Sequence, residues 1–368
     1  MARWWRWLVV LVAVGMLLAT PTVLGLLPGR AAAVPAAVLL ARIGRSAGTP
    51  YSGYASATGG LSIPVTGQLD SVTRLLGGRT RLRVWWRSAS DWRVDSLATT
   101  GESGAHRTAT GLWTWDYENN LATLDEGLLD QAARLPVAAD LLPPGLARRM
   151  LSDATAAEVS PLPSRRVAGR DTRGLRLRPA DRRTTIGHVD VWADARSAVP
   201  LRVDVVGVGA AVPAMTSQFT DFSTDLPARS VTAFAPPASA RVRDRAVPDL
   251  VAFISRFGGV VPPQTLVGLP RNDRLRPYGA VGVYGRGLAE VVAVPLPGGQ
   301  SRELRRRLAT APGASDTRVG VALTVGPLGL LLTTGDPIGD AWLLTGTVTR
   351  ATLTAAATEL RSTSGDVG

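Results

Sequence analysis

The sequence predicts an α+β protein whose main part is one curved antiparallel sheet with helices over one face, followed by a smaller α+β domain. Three observations support this fold class. Segments between residues 51 and 222 alternate apolar and polar residues with the period of two that half-buried antiparallel strands require. Helical patterns precede and interrupt these strands. A segment rich in Pro, Arg and Ala at 233–249 separates a domain at 34–240 from one at 241–368.

Residues 1–33 form a separate N-terminal unit. The uncharged apolar run 7–27 is long enough to cross a bilayer as a transmembrane helix, and Arg3 and Arg6 precede it, in agreement with the positive-inside rule. Two interpretations stay open: an uncleaved signal anchor, which the length favours, and a signal peptide cut near Ala31. Both predict that the bulk of the chain is extracytoplasmic, held at the cytoplasmic membrane by a single span or secreted after cleavage.

The elements of the first domain follow from local patterns. A helix is predicted over 34–47, where Val38, Leu39 and Ile43 have helical spacing. The strands and the two helical patterns that interrupt them are expected, in order, at 51–61, 80–88, 91–98, 111–117, 124–135 (helical), 138–154 (helical), 165–178, 187–194, 201–208 and 216–222. The short gap at Ala89 suits a hairpin, and we expect the strands to form one long meander.

The apolar faces of these strands are the candidate ligand-binding site. Their members are Leu82, Val84, Trp86, Trp92, Val94, Trp113, Trp115, Tyr117, Val189, Val191, Leu201 and Val203. In each strand these side chains alternate with polar or charged ones and therefore share one face. Two interpretations stay open: an apolar cavity beneath helices with small residues, and an ordinary packed core.

The second domain shows the patterns of a small α+β unit. We expect a helix at 250–257, a hairpin at 281–294, a helix at 300–309, a second hairpin at 319–325 and 328–334, a strand at 341–347 and a terminal helix at 350–361.

Composition excludes several kinds of site. The net charge is +12, and every basic residue is Arg. These residues are scattered, so no nucleic-acid partner is predicted, and the charge reflects either compositional bias or attraction to anionic lipid or cell-wall polymer. Cysteine is absent, which excludes disulfides, thiol chemistry and a lipid anchor on Cys.

Nothing in the sequence indicates catalysis, so we predict a protein that is not an enzyme and has no cofactor and no metal. His106 and His188 are the only histidines, both in strand-like segments, and no G-x-S-x-G motif is present. Acid pairs such as Asp190 and Asp194 are typical of solvated strand faces. The densest basic run, Arg305–Arg307, indicates a solvated helix face or a contact with anionic headgroups.

Motifs in the first domain resemble those of the LolA-like group of bacterial lipid and lipoprotein carriers, which includes the N-terminal domain of RseB. Trp192 and Asp194 are followed by Pro200-Leu201, by a strand that runs from Phe219 to Asp225, and by Phe234 to Pro237. Upstream, PYSGYASA at 50–57 and GLWTWDYENNLATL at 111–124 match the start of such domains.

The resemblance covers about residues 34–240 and is nearest to actinobacterial, membrane-tethered LolA- or RseB-like proteins. It implies a half-barrel sheet with a helical lid and an apolar cavity for acyl chains. The function it implies is non-enzymatic binding of a lipid or an acylated protein at the membrane. The alternative it implies is an RseB-like envelope-stress regulator that binds a membrane anti-sigma partner. Dedicated carriers are soluble or carry a lipid on Cys, and the predicted N-terminal tether departs from that pattern.

Overall fold

A computed structural model describes residues 31–32, 34–60, 77–98, 101–126, 137–244, 262–272, 281–335 and 340–365. The predicted N-terminal helix at 7–27 lies outside these residues. Among the helices that the structure does describe, none has the length and apolar character needed to span a bilayer.

The large unit combines one sheet with few helices. Its two longer helices are α1 (Ala36–Arg45) and α2 (Pro143–Leu151), and a single helical turn spans Arg229–Thr232. Its strands are β1 (Tyr51–Gly60), β2 (Gly77–Ser88), β3 (Asp91–Ala98), β4 (Gly101–Thr108), β5 (Gly111–Asp116), β6 (Leu121–Asp125), β7 (Val159–Val167), β8 (Arg170–Leu177), β9 (Ile186–Asp194), β10 (Pro200–Gly207), β11 (Met215–Ser223) and β12 (Arg241–Asp244). The expectation of a large curved antiparallel sheet is confirmed.

The connectivity differs from the single meander expected from the sequence. The strand order is β12-β6-β5-β4-β3-β2-β1-β11-β10-β9-β8-β7, so the first strand lies at the centre. There β1 pairs with β2 on one side and with β11 on the other, Ser52 lying opposite Ser223. The chain leaves β6 and resumes at the far edge with β7. The meander was wrong because this central pairing joins strands that are distant in sequence, which local patterns do not encode.

Local structure differs from the expectations at several places, and β4 (Gly101–Thr108) was not among the expected strands. Leu124 and Asp125, expected to begin a helix, belong to β6, while residues 127–136 lie outside the described part. The segment expected as one strand at 165–178 is a hairpin, because Ala168 and Gly169 adopt positive φ angles of 49° and 72° that suit a tight two-residue turn. Val38 is 46% exposed, whereas Leu39 and Ile43 of the same helix are buried.

The two faces of the large sheet have different partners. We call the face that carries Leu82, Val84 and Trp86 the inner face and the one that carries Arg83 and Trp85 the outer face. On the inner side α1 packs against β7 and β8, and α2 against β10 and β11. One continuous apolar core joins these helices to the inner face. Full burial of each large aliphatic side chain there contributes about 1.5–3 kcal/mol, so this core fixes which residues face inward.

The smaller unit has a six-stranded antiparallel sheet between two helices. Its elements are β13 (Thr265–Leu266), β14 (Leu269–Pro270), β15 (Gly282–Arg286), β16 (Ala289–Leu296), α3 (Gly298–Ala309), β17 (Ser315–Thr317), β18 (Gly320–Val325), β19 (Leu328–Thr333), β20 (Ala341–Gly346) and α4 (Arg350–Gly365). Leu353 and Leu360 of α4 are buried against one face, and Leu308 of α3 is buried in a separate core with β18 and β19. The helix expected at 250–257 lies outside the described residues.

The two units touch through backbone and hydroxyl groups. Thr185 N–H donates to the carbonyl of Thr347 at 2.9 Å, and Thr349 N–H donates to Arg183 O at 2.8 Å. Leu288, from the turn before β16, is buried in the core of the large unit. In addition, β12 lies within the range expected for the second domain but pairs with β6 of the large sheet. The boundary between the two domains, expected after residue 240, stays a prediction.

Candidate functional site

Three aromatic side chains form a stack at the centre of the inner face. Tyr51, Trp86 and Trp92 lie directly opposite one another on β1, β2 and β3, and side chains opposite each other in a sheet share a face. The ring centroids are 5.6 Å apart for Tyr51 and Trp86 and 5.5 Å for Trp86 and Trp92, with interplanar angles of 5° in both pairs. We call these three residues the aromatic stack.

Two phenylalanines extend the stack along β11. Phe219 meets the Tyr51 ring edge-on at 5.8 Å, and Phe222 lies 6.1 Å from it. Residues 219 and 222 belong to opposite faces of a regular strand. A register shift opposite Tyr54 and Ala55 inserts one residue into β11, so that both phenylalanines are buried in the same core.

Polar groups inside this apolar region are unpaired. Within the described residues, Tyr51 Oη and Trp86 Nε1 are buried and have no hydrogen-bond partner. The Arg148 guanidinium of α2 lies 5.5 Å above the Trp86 ring. Burial raises the pKa of Tyr51 far above its ordinary value, and the charge of Arg148 opposes that shift. The hydroxyl is therefore neutral at all physiological pH values and can donate a hydrogen bond.

Together these groups define the chemistry of the site. A tyrosine hydroxyl and an indole N–H donate hydrogen bonds, and a guanidinium is a permanent cation. The surrounding rings offer only apolar contact. This arrangement suits a ligand with an apolar chain and a group that accepts hydrogen bonds. Among the described residues there is no group of three or more side chains suited to hold a metal ion.

The structure divides the twelve side chains of the predicted site into two sets. Nine are buried in the inner-face core: Leu82, Val84, Trp86, Trp92, Val94, Val189, Val191, Leu201 and Val203. Trp113, Trp115 and Tyr117 lie on the outer face instead, since β5 directs Leu112 inward and residues 113, 115 and 117 alternate with it. Ligand binding by the nine stays a prediction.

A segment that we call the strap, residues 227–240, covers Trp113 and Trp115, whereas Tyr117 is 43% exposed. Arg87 of β2 donates to Pro227 O at its beginning, and Asn120 donates to Ser239 O at 2.7 Å near its end. Between these anchors, Phe234 lies 4.5 Å from the His106 ring and 5.6 Å from the Trp113 ring. The strap thus encloses a second, smaller aromatic cluster on the outer face.

Four residues of the site were missed at the sequence level: Tyr51, Arg148, Phe219 and Phe222. The alternation of Tyr51 with Ala55 and Ala57 in β1 carried a signal, because all three are buried on one face. The spacing of Phe219 and Phe222 gave no such signal because of the bulge. Arg148 follows a helical pattern, and its position over Trp86 depends on how α2 docks.

The acids expected on solvated faces are instead buried and paired. Asp190 accepts two hydrogen bonds of 2.6 Å from Arg176, and Asp194 accepts two from Arg170, of 3.0 and 3.4 Å. Both carboxylates are less than a tenth exposed. The stems of the arginines shield them from water, which the alternating sequence did not reveal. In α3, Arg306 and Arg307 pair with Glu303 along the helix.

Comparison with known proteins gave structural likeness alone. No family model and no curated protein matches the sequence. Similar solved structures include the Pseudomonas aeruginosa MucA/MucB complex, with a TM-score of 0.48, 18% identity, and coverage of 88% of this chain and 97% of that one. They also include MucB by itself (TM-score 0.44, 17% identity, 88% and 96% covered). A LolA superfamily protein from Nitrosomonas europaea has a TM-score of 0.23 and 12% identity, with 55% and 99% covered.

Proposed function

We propose that this chain binds the acyl chain of a lipid or of a lipid-modified protein on the inner face of its large sheet. The observation that carries the proposal is the pair of buried, unpaired polar atoms, Tyr51 Oη and Trp86 Nε1. A buried polar group without a partner costs about 1–3 kcal/mol. A ligand that accepts hydrogen bonds from both atoms accounts for their retention in an otherwise apolar core.

The lining selects for an acyl ligand. Aromatic rings and aliphatic side chains of the inner face belong to one continuous apolar core beneath the two helices, and a hydrocarbon chain is chemically compatible with such surroundings. The donors of Tyr51 and Trp86 and the cation of Arg148 suit an ester, carboxylate or phosphate oxygen at the end of that chain. The resemblance of the sequence to LolA-like carriers adds support. An RseB-like regulatory role with a membrane anti-sigma partner stays a prediction from the same resemblance, and it is compatible with an acyl ligand.

Photocrosslinking in membranes that contain the full chain tests the site. A fatty acid with a diazirine on its chain is expected to label inner-face residues near Trp86. Tyr51→Phe keeps the ring and removes the donor, so labelling should fall about 5-fold, equivalent to one hydrogen bond of about 1 kcal/mol. Unfolding free energy should stay equal or rise by up to about 1 kcal/mol, because the variant removes an unpaired group.

An outer-face tyrosine supplies the control. Tyr117→Phe removes the same hydroxyl from an exposed ring and should leave labelling unchanged. Labels confined to the outer face or to residues 1–33 would overturn the proposal. So would a Tyr51→Phe chain that is destabilised and labelled at the wild-type level, because the hydroxyl would then have a structural partner.

We also propose that the chain acts outside the cytoplasm, held at the membrane by residues 7–27. The uncharged length of that segment and the arginines before it support this location. Alkaline phosphatase fused after Gly368 should be active in bacterial cells, because this enzyme requires export to form its disulfides. The fusion should sediment with membranes. An inactive fusion of full length would count decisively against the location.

A further inference from the structure

Three arginines form a row on the outer face of β2. Arg79, Arg81 and Arg83 alternate with inner-face residues and are all exposed. Neighbours in such a row are separated by about 7 Å. None of the three forms an ion pair with any of the described residues. Arg83 faces Asp95 across the strands, but that carboxylate is already bound by Arg93 at 2.8 Å.

The other half of the same face treats its arginines differently. On β8 and β10, Arg176 and Arg202 are neutralised by Asp190 and Asp204 at 2.6 and 2.9 Å. Near β2, two exposed acids lie in the same register rows: Asp221 across from Tyr54, and Glu102 across from Leu97, which is itself opposite Arg81. Neither acid forms an ion pair with the row of three arginines among the described residues. Arginines on β8 and β10 are therefore paired with acids, whereas the three arginines of β2 are not. The row on β2 thus has a local excess of positive charge.

Aromatic side chains stand beside the row. The Arg83 guanidinium lies 4.3 Å from the Trp85 ring and 5.3 Å from the Tyr54 ring. Tyr54 is 41% exposed, and Trp85 is half-buried. Tyrosine and tryptophan combine an apolar ring with a polar edge, which suits the headgroup layer of a bilayer. We call Tyr54, Arg79, Arg81, Arg83 and Trp85 the arginine strip.

We propose that the arginine strip docks this chain onto the surface of an anionic lipid bilayer. Each arginine near such a surface contributes about 1 kcal/mol, and the exposed rings add apolar contact with the headgroup region. The strip is on the opposite face from the aromatic stack, so docking leaves the inner face unobstructed. The inference is independent of any ligand on the inner face, and its test changes and probes outer-face residues alone.

Because the chain has no cysteine, one engineered thiol reports on the strip. Thr58 lies opposite Arg79 and is exposed. The full chain with Thr58→Cys, carrying an environment-sensitive dye, is reconstituted in nanodiscs of phosphatidylcholine with or without 30% phosphatidylglycerol. Acrylamide should quench the dye strongly in neutral discs and weakly in anionic ones. A triple variant should lower the ratio of docked to undocked chain on the order of 100-fold. It combines Arg79→Gln, Arg81→Gln and Arg83→Gln.

A charge-matched triple separates the strip from net charge. This control removes three exposed arginines of the smaller unit and should leave the dye protected in anionic discs. It combines Arg302→Gln, Arg350→Gln and Arg361→Gln. A second label, at Ala309→Cys, should be quenched equally in both discs. Equal quenching at Thr58→Cys in both discs overturns the proposal, as does a control triple that releases the dye to the same extent. Protection by soluble polyphosphate in neutral discs, without protection in anionic discs, would show a polymer ligand and also overturn it.

Discussion

Phe219→Ala is expected to lower the free energy of unfolding by about 4 kcal/mol. The ring is fully buried and contacts Tyr51 and Phe222 at centroid distances of 5.8 and 5.1 Å. Truncation of a buried phenylalanine removes its transfer free energy and leaves a cavity, which together cost about 3–5 kcal/mol. These two neighbours lie on β1 and β11, which are held together by backbone pairing, so they cannot close the space.

Urea unfolding of the full chain, followed by tryptophan fluorescence, measures this loss. Tyr54→Ala is the comparison, since that ring is on the outer face and its removal should change stability by less than about 1 kcal/mol. A loss below about 1 kcal/mol for Phe219→Ala would show that the inner face around Tyr51 is loosely packed. The role assigned to the bulge in β11 would then be wrong.

The inner face was predictable where strands are regular. Alternation alone assigned Leu82, Val84 and Trp86 to one side of β2, and the buried core contains all three. Period-two patterns succeed there because one face is apolar and the other carries Arg81 and Arg83. The pattern failed at Phe219 and Phe222, since an inserted residue reverses the alternation.

Alternation also does not say which face of a strand meets the main core. In β5 both faces have apolar residues: Leu112 on one, Trp113 and Trp115 on the other. The larger rings suggested the inner face. The strap decides the outcome, because Phe234 supplies an apolar cover for the outer rings. A contact between residues more than a hundred positions apart has no signature in a local window.

The strand order could be predicted only in part, because local sequence patterns do not show which distant strands pair. Each hairpin, such as β2 with β3 around Ala89, follows from turn residues and short gaps. The pairing of β1 with β11 joins residues about 170 positions apart, Ser52 and Ser223. Its entropic cost is offset only after much of the sheet has formed. The site depends on this pairing, because it brings Phe219 to Tyr51.

His106 is expected to make the stability of this protein fall steeply between about pH 6.5 and pH 4. The ring is 2% exposed beneath Phe234. Burial first, and then the charge of Arg93, lower the pKa of His106 to about 4, while Asp95 and the backbone at Thr232 partly oppose the shift. The unfolded chain, with an ordinary histidine pKa near 6.5, therefore binds the proton first as the pH falls.

The sign and size of the pH effect on stability follow from the difference between the folded and unfolded pKa values of His106. Stability from a neutral His106 is fully present above about pH 6.5, declines below it, and is lost by about pH 4, for a total of about 3 kcal/mol. His106→Phe keeps an aromatic ring under the strap and cannot bind a proton. Urea unfolding at pH 7.5, 6, 5 and 4 should show the variant gaining about 3 kcal/mol relative to wild type across the series.

His188→Gln, at a half-buried histidine on β9, should show a much smaller change. Parallel pH profiles for wild type and His106→Phe would mean that His106 is already accessible to protons in the folded protein, and that the strap does not seal this part of the outer face.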